Sequence, residues 1–172
     1  MLTKIDLCSM ALLKLGEPTI SSLTDDSTAA QLSRTLFDPV VDALIAAHPW
    51  RFAIKSFDLT PTTDGDFEIP TNVLRVIKCP GQIIGTRIVA SGDSINILAT
   101  TRVAPSEFPG YFVSLVATKL AMEFCIPLVG DQTVFRMLAA LYESELQSAK
   151  YLDSSISPSP RIDDFSLVNI RF

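Results

Sequence analysis

One histidine, one tryptophan and three cysteines in 172 residues leave little material for side-chain chemistry. Cys8, Cys79 and Cys125 are far apart and odd in number, with no second cysteine or histidine at ligand spacing. They predict buried, reduced thiols rather than a disulfide framework or a metal site. Charge is also scarce: 19% of residues are charged against 48% apolar, a more apolar balance than soluble chains usually carry. Basic residues number 14 against 19 acidic, for a net charge of −5. That balance argues against wrapping a phosphate backbone, which needs clustered Lys and Arg. No run of eighteen apolar residues is present, so no membrane partner is expected. The opening Met1-Leu2-Thr3-Lys4-Ile5-Asp6 is too short and too polar to start a signal peptide, which predicts a cytoplasmic protein. Glycine is sparse, and neither Ser91-Gly92 nor the stretch from Gly81 to Gly85 has the spacing of a phosphate loop, so no cofactor is expected.

The chain is long enough for one domain with a sizeable core. Thr3 and Asp6 have the spacing of a capping box, Ile5, Cys8, Leu12 and Leu15 recur at helical spacing, and Gly16 supplies a left-handed stop. Asp25, Asp26 and Ser27 offer caps for a second helix, whose apolar stripe Ala29, Leu32, Leu36, Val40, Leu44 and Ala47 passes straight through Pro39. An interior proline kinks a helix, and the unbroken stripe favours one bent helix over two short ones. From Trp50 to Val103 the period shortens. The runs 74–78, 83–89 and 94–98 are β-branched and bounded by turn residues, and Ser91-Gly92-Asp93-Ser94 predicts a hairpin between the last two. Helical spacing returns after Pro109 in a segment apolar on most of its circumference, a central helix. A fourth helix carries Val134, Phe135, Leu138, Leu141, Tyr142 and Leu146 on one side and ends near Tyr151, because Asp153 to Pro160 has turn composition. The expected fold is mainly α within the α+β class: a four-helix bundle with a small antiparallel β insertion and an extended C-terminal arm. The divisions fall at 1–49 for two helices, 50–108 for the insertion, 109–151 for two more helices and 152–172 for the arm.

The segment His48-Pro49-Trp50-Arg51-Phe52-Ala53 stands where the second helix must stop, since the residue before a proline avoids helical angles and Pro49 has no amide hydrogen. His48 invites a catalytic reading with Asp42 or a serine, yet no serine sits in the sharp exposed turn that a nucleophile requires. The plainer expectation is a structural junction of His48, Pro49, Trp50 and Phe52, with His48 serving the helix C-terminus, where an imidazolium suits the dipole. Asp64, Asp66 and Glu68 lack the glycine and the closing bidentate acid of a calcium loop and predict a solvated loop. Cys125 has no basic neighbour to activate it. No catalytic set emerges. A small hydrolase using His48 and a peptide-binding adaptor of cellular origin are the alternative functions.

The arm is unusual in gathering large apolar residues, Ile156, Phe165, Leu167, Val168, Ile170 and Phe172, where chains are usually polar. Either it folds back on its own domain, or it docks on a partner as an added strand or in a groove; the second is preferred.

Several segments, taken in order, resemble the head-to-tail connector family of tailed bacteriophages and gene transfer agents, which includes the tail tubular protein A type and the head completion adaptors. They are 11–17 (ALLKLGE) with 20–23 (ISSL), 36–44 (LFDPVVDAL) leading into 48–53 (HPWRFA), 67–76 (FEIPTNVLRV), Phe108-Pro109, and 120–128 (LAMEFCIPL). Phe67 stands where that family usually has tyrosine and Asn72 where it has aspartate. The resemblance implies a structural virion protein at the head-tail junction, assembled in the host cytoplasm. It would form a ring with copies of itself, a dodecamer in the family, on the portal protein. DNA would pass through the channel without sequence-specific binding, and the next tail or stopper component would attach to the ring. The arm residues named above would be its portal and subunit contacts.

Overall fold

Thr3 Oγ1 receives the Asp6 amide (3.2 Å) while the Asp6 carboxylate receives the Thr3 amide (2.8 Å), so the expected capping box closes and starts helix α1, Lys4–Leu15. Gly16 ends it at φ +76°. Ser27 caps α2, Thr28–Ala47, through the Ala30 amide, and α2 runs through Pro39 as one helix. A 3₁₀ turn, Arg51–Ala53, leads into strands β1 Ile54–Leu59, β2 Phe67–Glu68, β3 Val73–Lys78, β4 Gln82–Ile84, β5 Arg87–Val89 and β6 Ile95–Thr101. A second 3₁₀ turn, Pro105–Glu107, precedes helices α3 Gly110–Leu128 and α4 Gln132–Ser155. This computed structural model describes residues 1–155.

The fold is α+β, but the helices do not form the expected four-helix bundle. In a bundle each helix buries one stripe toward a shared axis. Here α3 is itself the axis: α1, α2 and α4 all pack on it, and Phe112, Leu115, Val116, Leu120, Ala121, Phe124 and Cys125 are buried around its circumference. That position also accounts for its apolar composition, which by length alone would suit a membrane span. Helix α4 lies on the outside and buries only Leu138, Ala149 and Asp153 fully, leaving Met137 and Leu141 of its apolar side exposed.

The β region is also larger than a small insertion. It comprises two three-stranded antiparallel sheets, ordered β1-β6-β3 and β2-β5-β4, around a nucleus of Phe67, Ile88, Ile95, Ile97 and Ala99 that is separate from the helical core. The hairpin expected at 91–94 does not form, because β5 and β6 belong to different sheets. The run 83–89 is instead folded on itself. Ile84 pairs with Arg87 across Gly85-Thr86, with φ +60° at Gly85 and no positive φ at Thr86, so glycine takes the first central position of a two-residue turn. Gly81 permits the neighbouring approach, since a Cβ there would lie 2.3 Å from the Val89 carbonyl oxygen.

All three cysteines are free; Cys8 and Cys125 are buried, which raises both thiols, and Cys79 is half-buried. The loop around Asp64 and Asp66 is tied by Arg87 (3.3 and 3.8 Å), and among the described residues no cluster of three metal-ligating side chains occurs.

Candidate functional site

The end of α2 is closed by groups from two different layers. Pro49 prevents a further helical turn, so the last carbonyls of α2 need outside donors. Trp50 turns back and donates its indole Nε1–H to the Leu44 carbonyl (2.9 Å), and Arg75 reaches from β3 to the Ala46 carbonyl (3.3 Å). His48 is the C-cap residue with extended backbone, φ −137° and ψ 144°. The side chain that closes the helix is therefore not His48, as expected, but Trp50 with Arg75.

Trp50 is fully buried and sits at the centre of an aromatic cluster: His48 at 4.7 Å between ring centroids, Phe112 at 5.2 Å, Phe52 at 6.3 Å and Tyr111 at 6.4 Å. Phe52 continues the cluster to Phe112 (4.8 Å) and Phe108 (6.0 Å). Three of these six contacts are edge-on, an arrangement the ring quadrupoles prefer, and three are tilted. Of the expected junction residues, His48, Trp50 and Phe52 come together here, while Pro49 stays on the surface.

Against this cluster lies a buried carboxylate, Asp153, that its sequence context had placed in a turn. Asp153, 2% exposed, accepts the Tyr111 hydroxyl at 2.7 Å and the Arg51 amide at 3.1 and 3.2 Å. Oδ2, which shares the Arg51 amide with Oδ1, also stands 4.0 Å from His48 Nε2. Four pieces of chain meet at this one group: the end of α2, the 3₁₀ turn into β1, the first turn of α3 and the last turn of α4. Its presence corrects the expected end of α4, which runs to Ser155 rather than stopping near Tyr151. The signal was available: Leu138, Tyr142, Leu146, Ala149 and Asp153 continue one stripe at spacings of three and four, which places an acid on the apolar face.

Burial pushes the His48 imidazole below its ordinary value, opposed by the attraction of Asp153 and reinforced by Lys150 and Arg75. The neutral ring is thus favoured at pH 7, not the imidazolium expected at a helix end. The Tyr111 hydroxyl is pushed well up, by burial and by its bond to Asp153, and remains a donor at any ordinary pH. Asp42, the other acid considered for His48, is engaged by Arg102 through Nε (2.8 Å) and a second, shorter contact. No serine, threonine or cysteine side chain is hydrogen-bonded to His48 among the described residues, so the arrangement lacks a nucleophile beside its base. What it can do is lock: one carboxylate, held by a phenol and an amide, fixes the end of α4 to the helix–sheet junction. The remaining expected contact residues, Ile156, Phe165, Leu167, Val168, Ile170 and Phe172, lie outside the described residues. Neither protein-family models nor curated proteins give a match to this chain.

Proposed function

We propose that this protein is a head-tail connector: a virion structural component that forms a ring on the portal protein, extends the DNA channel and offers a platform to the next tail or stopper component. The observation that carries the reading is the junction. The segment 48–53 that resembles the connector signature is the place where the helical body, the β lobe and the end of α4 are tied together. It thus fixes the end of α4, and the sequence that follows Ser155 is rich in large apolar residues. Exposed apolar side chains supply candidate ring contacts: Leu13 on α1, Met137 and Leu141 on α4, and Ile83, Ile84 and Val89 on the β4–β5 hairpin. Rings arise when such heterologous contacts close. The acidic balance would keep passing DNA from adhering to the channel wall.

The test is assembly with the portal protein of the same genome, followed by negative-stain microscopy and native mass spectrometry. A closed ring bound coaxially to the portal is expected. A protein that remains monomeric and does not bind the portal defeats the proposal, and so does portal docking left unchanged by removal of residues 156–172, for the part assigned to the arm.

A further inference from the structure

Helix α4 packs on α3 with one side and shows solvent an apolar stripe on the other. Thr133, Met137, Ala140, Leu141, Ser144 and Ser148 recur at spacings of three and four, all are exposed, and none carries a charge. Met137 is 69% exposed and Leu141 43%, so the stripe holds two large apolar side chains one turn apart. It runs over four turns of helix, about 24 Å. Its two borders differ. On one, Glu145 is engaged by Lys14 and Thr118. On the other, Arg136 and Glu143 lie in line, about two turns apart, both exposed, and neither has an ion-pair partner among the described residues. Lys150 continues that line but is half-buried at the junction, where its charge acts on His48.

We propose that this stripe is the contact for a second copy of the chain, with the two α4 helices antiparallel and a two-fold axis passing at the level of Ala139 and Ala140. The charges select that arrangement. An antiparallel two-fold brings the same border of both helices together, so Arg136 of each protomer faces the partner's Glu143, and the complementary pair forms twice. Met137 and Leu141 of both copies then meet around the axis, where Ala140 permits close approach. A parallel pair would set the border of Arg136 and Glu143 against that of Leu141, whose carboxylate, Glu145, is already engaged, and would leave Glu143 without a cation. Burial of the apolar side chains supplies the attraction, and the charges set orientation and register. A contact along four turns of one helix falls below about 1,200 Å² in total, the class of weak and transient pairs, so half-association is expected at roughly 10–100 μM. The pair closes at two copies, whereas a ring needs different surfaces on its two sides. It is therefore a property of the free chain that does not rest on the connector reading, and ring closure through Met137 and Leu141 would require it to open.

Sedimentation velocity on the full chain, from about 1 to about 200 μM, reads the pairing. The mass is expected to move from monomer to dimer across that range and to stop there. Leu141→Asp should weaken association at least about tenfold, and so should Arg136→Glu and Glu143→Arg, each of which sets two like-charged pairs face to face. An equal mixture of the Arg136→Glu and Glu143→Arg chains should recover the parental association, because both ion pairs re-form with their signs exchanged. All three positions are exposed, and unchanged Trp50 fluorescence reports an intact fold. A chain that stays monomeric at the highest concentration overturns the proposal and assigns the stripe to a different protein. Dimers that survive Leu141→Asp overturn it by moving the contact to another surface, and a larger closed species overturns the two-fold. A mixture that fails to associate refutes the antiparallel pairing.

Discussion

Replacing Asp153 with alanine should cost this protein about 3 kcal/mol, a figure assembled from the donors it would strand. The Tyr111 hydroxyl and the Arg51 amide both end on this carboxylate, and hydrogen bonds to a charged acceptor contribute roughly 1.5–3 kcal/mol each. Their sum is an upper bound, because Tyr111 is only half-buried and its hydroxyl regains water when the acceptor is gone. For a chain of this size that loss corresponds to a drop in Tm of roughly 6–12 °C. Asp153→Asn keeps an oxygen in place and should cost only about 1 kcal/mol, since the neutral acceptor bonds less strongly. Tyr111→Phe should also cost about 1 kcal/mol, and in the double variant with Asp153→Ala the two losses should fall short of additive by a similar amount. Urea unfolding followed by the fluorescence of Trp50, the only tryptophan, reads the transition at the site itself. The reasoning is refuted if Asp153→Ala lies within 0.5 kcal/mol of the parent, taking ~0.5 as the scatter of ordinary surface substitutions, or if Asn is as damaging as Ala.

The other expectations are simpler. Trp50→Phe keeps an aromatic ring but leaves the Leu44 carbonyl without its donor, and should cost about 2 kcal/mol, against about 4 for Trp50→Ala, by urea unfolding followed with circular dichroism. Because burial lowers the His48 value below its unfolded 6.5, the unfolded chain takes up a proton before the folded one does. Stability should therefore fall as pH drops through 6.5 toward the lower folded value, and His48→Gln should flatten that slope in unfolding curves between pH 7 and 5. Gly81→Ala should destabilise the β lobe, because the new methyl group meets the Val89 backbone; proteolysis confined to 54–101 is the readout, and a parent-like digestion pattern would contradict it. Pro39→Ala in the exposed middle of α2 should raise stability by about 1 kcal/mol, the helix gain exceeding the entropy returned to the unfolded chain, and a loss would mean that the helical body packs against the proline-shaped bend.

The first two helices were readable because their ends rest on local chemistry: Thr3 with Asp6, Gly16, Ser27 and Pro49 act within a few residues of the backbone they close. The central place of α3 was readable from apolar residues on all sides. The bundle was not, because a pattern on each helix states which face is buried and not against what, and α4 proved to spend part of its apolar side on the surface. Sheet pairing failed for a related reason. The turn residues at 91–94 suited a hairpin, yet partner choice was decided by Ile88 pairing with Phe67 in one sheet while Ile95 and Ile97 paired with Leu59 and Phe57 of β1 in the other. At the junction, the run from His48 to Phe52 pointed to the right place and gave the anchor Trp50. Its polar partner lay 102 residues away in sequence from the Arg51 amide. Composition made Asp153 look like a turn residue; only the continuing three-four spacing of α4 marked it as an interior one.

The way Asp153 is held also determines how the molecule would carry load. A helix pulled from its free end unwinds one turn at a time, at low force, because each step breaks a single hydrogen bond. Tension applied at Ser155 meets the Tyr111 and Arg51 bonds before it can peel α4, and both must yield together. Those bonds pass the strain to the first turn of α3 and to the turn that enters β1, so the force is spread over the helical body and the β lobe at once. The last turn of α4 is built as a mechanical fastening.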